Sequence, residues 1–128
     1  MTERNYKVEI VECSKPSLSA RERVKLKDVS AMTKLDVITA ESDDVLINPD
    51  YYAELNVTNS ASEQGEYKVY VVVDKNGTMF TTGSDSFYTA FRDIFDEMDG
   101  TGEEYEISCY RQESKNYKGK SFITCTIV

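Results

Sequence analysis

From residue 51 the chain alternates between apolar and polar positions. Tyr51, Ala53, Leu55 and Val57 are set against Tyr52, Glu54, Asn56 and Thr58, which is the period of a half-buried strand. Residues 60–66 are polar, contain Gly65 and read as a loop. Residues 67–74 are rich in Val and Tyr and predict a second strand. Asn76-Gly77 between Lys75 and Thr78 matches a two-residue type I′ hairpin, whose central residues both take positive φ. That turn pairs Lys75 with Thr78, Val73 with Phe80 and Val71 with Thr82. It puts Val69, Val71, Val73 and Phe80 on a core face, and Lys68, Tyr70, Val72, Met79 and Thr81 on an outer one. Ser84-Asp85-Ser86 offers N-caps to a helix near residues 85–98. Phe87, Ala90, Phe91, Ile94, Phe95 and Met98 recur there at helical spacing until Gly100 stops it. The stripe reads as a helix plugging a core rather than as a ligand pocket. Residues 104–111 and 121–127 predict two last strands. Their inward positions are Tyr105, Ile107, Cys109, Ile123, Cys125 and Ile127; Ser108, Tyr110, Phe122, Thr124 and Thr126 face outward.

The first fifty residues carry weaker signals. Residues 5–12 alternate Tyr6, Val8 and Ile10 with polar neighbours, a strand that Pro16 breaks. Ser19-Ala20-Arg21-Glu22 matches a capping box and favours a helix, whereas Val24-Lys25-Leu26-Lys27 alternates as a strand does. Both readings stay open. Residues 30–40 fit a short helix, and residues 41–50, with adjacent aspartates and Pro49, a connection.

A chain of 128 residues suits one domain with a real core. No run approaches the roughly 18 apolar residues of a membrane span, and the charged first fifteen residues lack the apolar stretch of a signal peptide. The expectation is a cytoplasmic protein with no membrane partner. Cys13, Cys109 and Cys125 are odd in number and widely spaced, which makes neither a disulfide framework nor a Cys-x-x-Cys site. The absence of histidine removes the commonest general base and zinc ligand. A Ser-His-Asp site is therefore excluded, and neither a Gly-x-Ser-x-Gly elbow nor a phosphate loop is present. The expectation is a non-enzyme without cofactor or metal, although a carboxylate-only metal nuclease is not excluded by composition.

A net charge of −8 argues against a nucleic-acid partner, since phosphate contacts need Lys and Arg. The charge is segregated, however. Residues 111–120 hold Arg111, Lys115, Lys118 and Lys120 against Glu113 alone, with Asn116 and Tyr117 among them. Cations interleaved with an aromatic suit a single strand, the cations meeting phosphates and the ring a base; a solvated hairpin loop is the plainer reading. Arg21, Arg23, Lys25, Lys27 and Lys34 form a second basic stretch, either a phosphate track or the wet face of one element. Asp93, Asp96, Glu97, Asp99, Glu103, Glu104 and Glu106 form a block without Lys or Arg. An EF-hand reading of that block fails, because Phe95 falls at the first ligand position and a strand follows.

Three strands, a helix and two further strands resemble the oligonucleotide-binding (OB) fold. That fold binds through the face of its second and third strands and through two loops. The resemblance implies a mainly β protein, an OB-like five-stranded barrel over residues 51–128 with residues 1–50 as an extension packed on it. Residues 67–82 and the 111–120 loop would then be the binding elements. The chain also resembles small single-stranded DNA-binding proteins of phages and mobile elements of Gram-positive bacteria. The matching stretches are Glu22-Arg23-Val24-Lys25-Leu26-Lys27-Asp28, Thr82-Gly83-Ser84-Asp85-Ser86-Phe87 with residues 91–98, and Ser114-Lys115-Asn116-Tyr117-Lys118-Gly119-Lys120. The acidic tail of the general bacterial single-stranded DNA-binding proteins is not matched, and recruitment through one is not expected. The resemblance implies sequence-tolerant binding in replication or recombination, with single-stranded DNA as partner and RNA as an alternative. Arg111, Lys115, Asn116, Tyr117, Lys118 and Lys120 would form a clamp. Lys68 and Tyr70 would form a platform, Tyr110 and Phe122 further stacking partners, and Arg21, Arg23, Lys25 and Lys27 a second track. Rival readings are an acidic protein-binding module (a nuclease inhibitor or DNA mimic) and a plain oligomerisation domain.

Overall fold

A computed structural model describes residues 6–42, 45–59, 65–114 and 119–128. Along the chain run β1 (Tyr6–Cys13), α1 (Ala20–Lys27), β2 (Thr33–Lys34), α2 (Leu35–Glu41), β3 (Val45–Ile47), β4 (Pro49–Asn59), β5 (Glu66–Asp74), β6 (Met79–Thr82), α3 (Asp85–Met98), β7 (Ile107–Glu113) and β8 (Ser121–Ile127). The architecture is mainly β. A five-stranded sheet has the order β1-β4-β5-β6-β2, and a three-stranded sheet the order β3-β7-β8. Among the described residues, only β2 and β6 pair in parallel. The residues before 50 are woven into both sheets: β1 runs antiparallel along β4, β2 edges β6, and β3 pairs with β7.

Local chemistry decides the ambiguous segment at residues 20–27. Ser19 Oγ accepts from the Glu22 amide at 3.1 Å, and Glu22 Oε1 accepts from the Ser19 amide at 3.0 Å. This reciprocal cap satisfies two of the amides that a helix start leaves orphaned. It outweighs the strand-like alternation, of which Leu26 is buried and Val24 exposed. The segment at residues 30–40 becomes a 3-10 turn (Val29–Ala31), β2 and α2. The expected connection at residues 41–50 contains a strand, β3, too short for its alternation to register.

The hairpin register differs from expectation by one residue. Val73 pairs with Met79, Val72 with Phe80, Val71 with Thr81 and Tyr70 with Thr82. The Asp74 amide donates to the Thr78 carbonyl and the Gly77 amide to the Asp74 carbonyl, both at 2.8 Å. The connection is therefore three residues long. Asp74 Oδ1 accepts from the Asn76 amide at 2.9 Å, an Asx turn that serves a right-handed Asn76. Gly77 alone takes positive φ, at 95°. A slip of one residue exchanges faces, so Phe80 and Met79 swap sides of the sheet.

Each face of the five-stranded sheet carries a buried core. On one, Tyr51, Ala53, Leu55, Val57, Val69, Val71 and Val73 pack with Leu26 of α1 and with Met32. On the other, Tyr52 and Val72 pack with Phe87 and Phe91 of α3, and beyond them with Ile107, Cys109, Ile123 and Cys125 of the three-stranded sheet. Each fully buried phenylalanine contributes about 1.5–3 kcal/mol. Ser84 caps α3 by accepting from the Phe87 amide at 3.2 Å.

The expected five-stranded barrel is not formed. Closure requires an edge of one sheet to pair with an edge of the other, and no described strand does so. Helix α3 takes the position beside β8 instead. Ser86 Oγ donates to the Ile123 carbonyl of β8 at 3.0 Å, satisfying an edge acceptor that a barrel would give to a neighbouring strand.

Candidate nucleic-acid interface

Tyr70, expected on an open platform, is 6% exposed. Its ring stacks on Tyr88 of α3 at 3.9 Å between centroids and 9° between planes. Its hydroxyl donates to Asp85 Oδ1 at 2.5 Å. Burial, and then the Asp85 carboxylate, push the phenol well above its ordinary pKa. Tyr52 meets Phe95, Phe91 and Tyr88 edge-on and carries the Arg92 guanidinium over its ring at 5.0 Å. Burial pushes its phenol up to about 12. These tyrosines hold α3 to the sheet. The outer face of β5 looked adhesive because a helix adheres to it, and Tyr70 leaves the set of base-stacking candidates. Lys68, at the end of the same strand, keeps a 62% exposed side chain 3.6 Å from Glu54.

Among the described residues, the three-stranded sheet is covered on one face only. Tyr110 pairs with Thr124 and Gln112 with Phe122, so Tyr110 and Phe122 are diagonal neighbours on the outward face, close enough for long side chains to meet. Leu46 shares that face through its pairing with Ser108. Leu46 is 47% and Phe122 36% exposed; Tyr110 is half-buried. At the hairpin end of these strands the Ser114 amide donates to the Lys120 carbonyl at 2.9 Å. Lys115, Asn116, Tyr117 and Lys118 lie outside the described residues. Arg111 points to the inner face at this end, where Nη2 donates to the Asp36 carbonyl at 2.8 Å and Nη1 to Ser121 Oγ at 3.3 Å.

Glu113 stands at the hairpin end of β7, and the remaining carboxylates of this stretch gather at the other. Glu103, Glu104 and Glu106 precede β7 and are exposed, and Glu104 lies 3.9 Å from Lys75. The seven residues of β7 separate them from the basic hairpin by about 20 Å at the usual strand rise, roughly two Debye lengths at physiological salt.

Arg21, Arg23, Lys25 and Lys27 are exposed on α1. Arg23 Nη1 donates to the Leu18 carbonyl at 2.8 Å. Because α1 packs on the sheet face opposite α3, these cations and the β7–β8 end lie on opposite sides of the five-stranded sheet. They do not join into one track.

No role was assigned to Tyr67 from the sequence, although alternation places it on the same face as Val69 and Val71. It is 42% exposed. A groove of about 340 Å³ opens beside it, lined by Val29, Lys34, Asp36, Val69 and Thr81 among others. No described helix is long and apolar enough to cross a membrane. Comparison with family models, curated proteins and solved structures returns no match for this chain.

Proposed function

We propose that this chain is a non-enzymatic, sequence-tolerant single-stranded DNA-binding protein that serves replication or recombination of a phage or mobile element, as its resemblance implies. The observation that carries the reading is the outward face of β7–β8, where Tyr110 and Phe122 are diagonal neighbours toward the Lys120 end of the strands while Glu103, Glu104 and Glu106 precede β7 at the other end. Bases stack on exposed rings without regard to sequence, at about 1–3 kcal/mol each, and cations beside them neutralise phosphates. Distance and screening make the overall negative charge compatible with such a site.

The test is fluorescence anisotropy of a labelled 15-nucleotide oligo-dT across salt, with an RNA of the same length as a second arm. Binding at low salt is expected, weakening as salt rises by about 0.7 logarithmic units per neutralised phosphate. Lys115→Ala with Lys118→Ala should reduce that slope, and Phe122→Ala should weaken binding about tenfold. Absence of binding to both probes at low salt overturns the reading.

A further inference from the structure

We propose that Cys109 and Cys125 form a reversible redox latch, a cross-strand disulfide that closes between β7 and β8 under oxidising conditions. The latch needs no nucleic acid and stands apart from the single-strand reading.

Far apart in the chain, the two cysteines face each other across the ladder, Cys109 paired directly with Cys125. Both lie in the core between the sheets, Cys109 fully buried and Cys125 nearly so. The hydrogen bonds fix which kind of pair this is. The Val128 amide donates to the Glu106 carbonyl and the Ser114 amide to the Lys120 carbonyl, both at 2.9 Å. In this register the even-numbered residues of the two strands bond to each other, and the odd-numbered ones turn their backbone groups away. The Ile123 carbonyl, which accepts from Ser86 of α3, agrees. Cys109 and Cys125 are thus a non-hydrogen-bonded pair, the close kind, with Cα atoms about 4.5 Å apart. A disulfide spans about 4.4–6.8 Å between Cα atoms, so the backbone already stands within reach of one.

Both thiols are held protonated in the closed fold. Burial pushes Cys125 up to about 12 and raises Cys109 as well, with Cys125 beside it adding to the rise. Thiolate is the attacking species, so the latch closes only when β8 lifts. β8 is an edge strand of its sheet, and local opening of such an element needs less than global unfolding. In the opened hairpin the Cys125 thiolate attacks a small-molecule disulfide and releases one thiolate from it. The Cys109 thiolate then displaces the second, leaving the Cys109–Cys125 bond. Two protein thiols lose two protons and two electrons, and the reagent disulfide becomes two thiols. In a reducing compartment the exchange runs backward and the pair returns to two core thiols.

The test is incubation of the full-length chain with oxidised glutathione, with and without urea below the unfolding transition. Peptide mapping by mass spectrometry is expected to find Cys109 linked to Cys125 with the loss of two hydrogens, sooner where urea is present. The oxidised chain should melt about 10 °C above the reduced one, because the closed loop restricts the unfolded chain. Dithiothreitol should reverse that shift, and Cys125→Ala should abolish it. Thiols that stay free even in urea, a product that stops at glutathione adducts, or a linkage through Cys13 each overturn the latch. So does an oxidised chain that melts below the reduced one, since the fold would then not accommodate the bond.

Discussion

The two sheets use aromatic side chains in opposite ways. In the five-stranded sheet, Tyr52 and Tyr70 point at a helix, and their rings meet Tyr88, Phe91 and Phe95. In the three-stranded sheet, Tyr110 and Phe122 occupy comparable outward positions, yet that face stays open enough to leave Phe122 36% exposed. Chemically the two sets are alike. What separates them is whether the chain has a helix left to cover the face, and α3, spent between the sheets, covers only the inner side of β7–β8. An aromatic on a sheet face is thus available to a ligand only where the protein's own packing has not claimed it.

Substitutions on the two sheets should break this comparison if it is false. The largest effect is expected at Phe91, which is fully buried between the sheets. Phe91→Ala should lose about 3–5 kcal/mol in urea denaturation, whereas Phe122→Ala should lose about 1 kcal/mol or less and show its main effect in oligonucleotide binding. Similar stability losses for both would mean that the outer face is packed after all. Tyr70→Phe comes next. It removes the hydroxyl that donates to Asp85, and it should lower stability by about 1–2 kcal/mol while leaving oligonucleotide affinity within twofold. A larger fall in affinity would return Tyr70 to the binding surface.

The smallest effect is expected at Glu22, whose carboxylate Lys15, followed by the Ser19 amide, holds down to about 2. A depressed carboxyl favours the folded state above its unfolded pKa, near 4.3, and that contribution disappears as pH falls toward 2. Glu22→Gln keeps a capping-box acceptor but loses the ion pair. It should flatten the decline in stability between about pH 4.5 and pH 2, followed by circular dichroism. An unchanged acid profile would show that the pair contributes nothing in solution, as many exposed pairs do.

The strands at β4, β5, β7 and β8 and the helix α3 were legible because their signals are local. Alternation, a serine cap and a terminating glycine act within a few residues. The outward placement of Tyr110 and Phe122 was legible for the same reason. The hairpin register was not, because Asp74 Oδ1 accepting from the Asn76 amide selects a three-residue connection over the two-residue turn that Asn-Gly favours. β3 escaped notice because three residues carry no period. The burial of Tyr70 was not legible, because alternation separates two faces without saying which neighbour covers each.

The order of amino acids by itself determined where most elements begin and end, that the chain lacks histidine chemistry, and that its charges are segregated. Only the tertiary structure decided that the sheets stay separate, that α3 seals Tyr70, and that the cations of α1 and the β7–β8 hairpin lie on opposite sides of the five-stranded sheet. The physical reason is range. Caps, turns and periodicity are set by neighbours along the chain, whereas burial is set by which distant surface arrives first to exclude water.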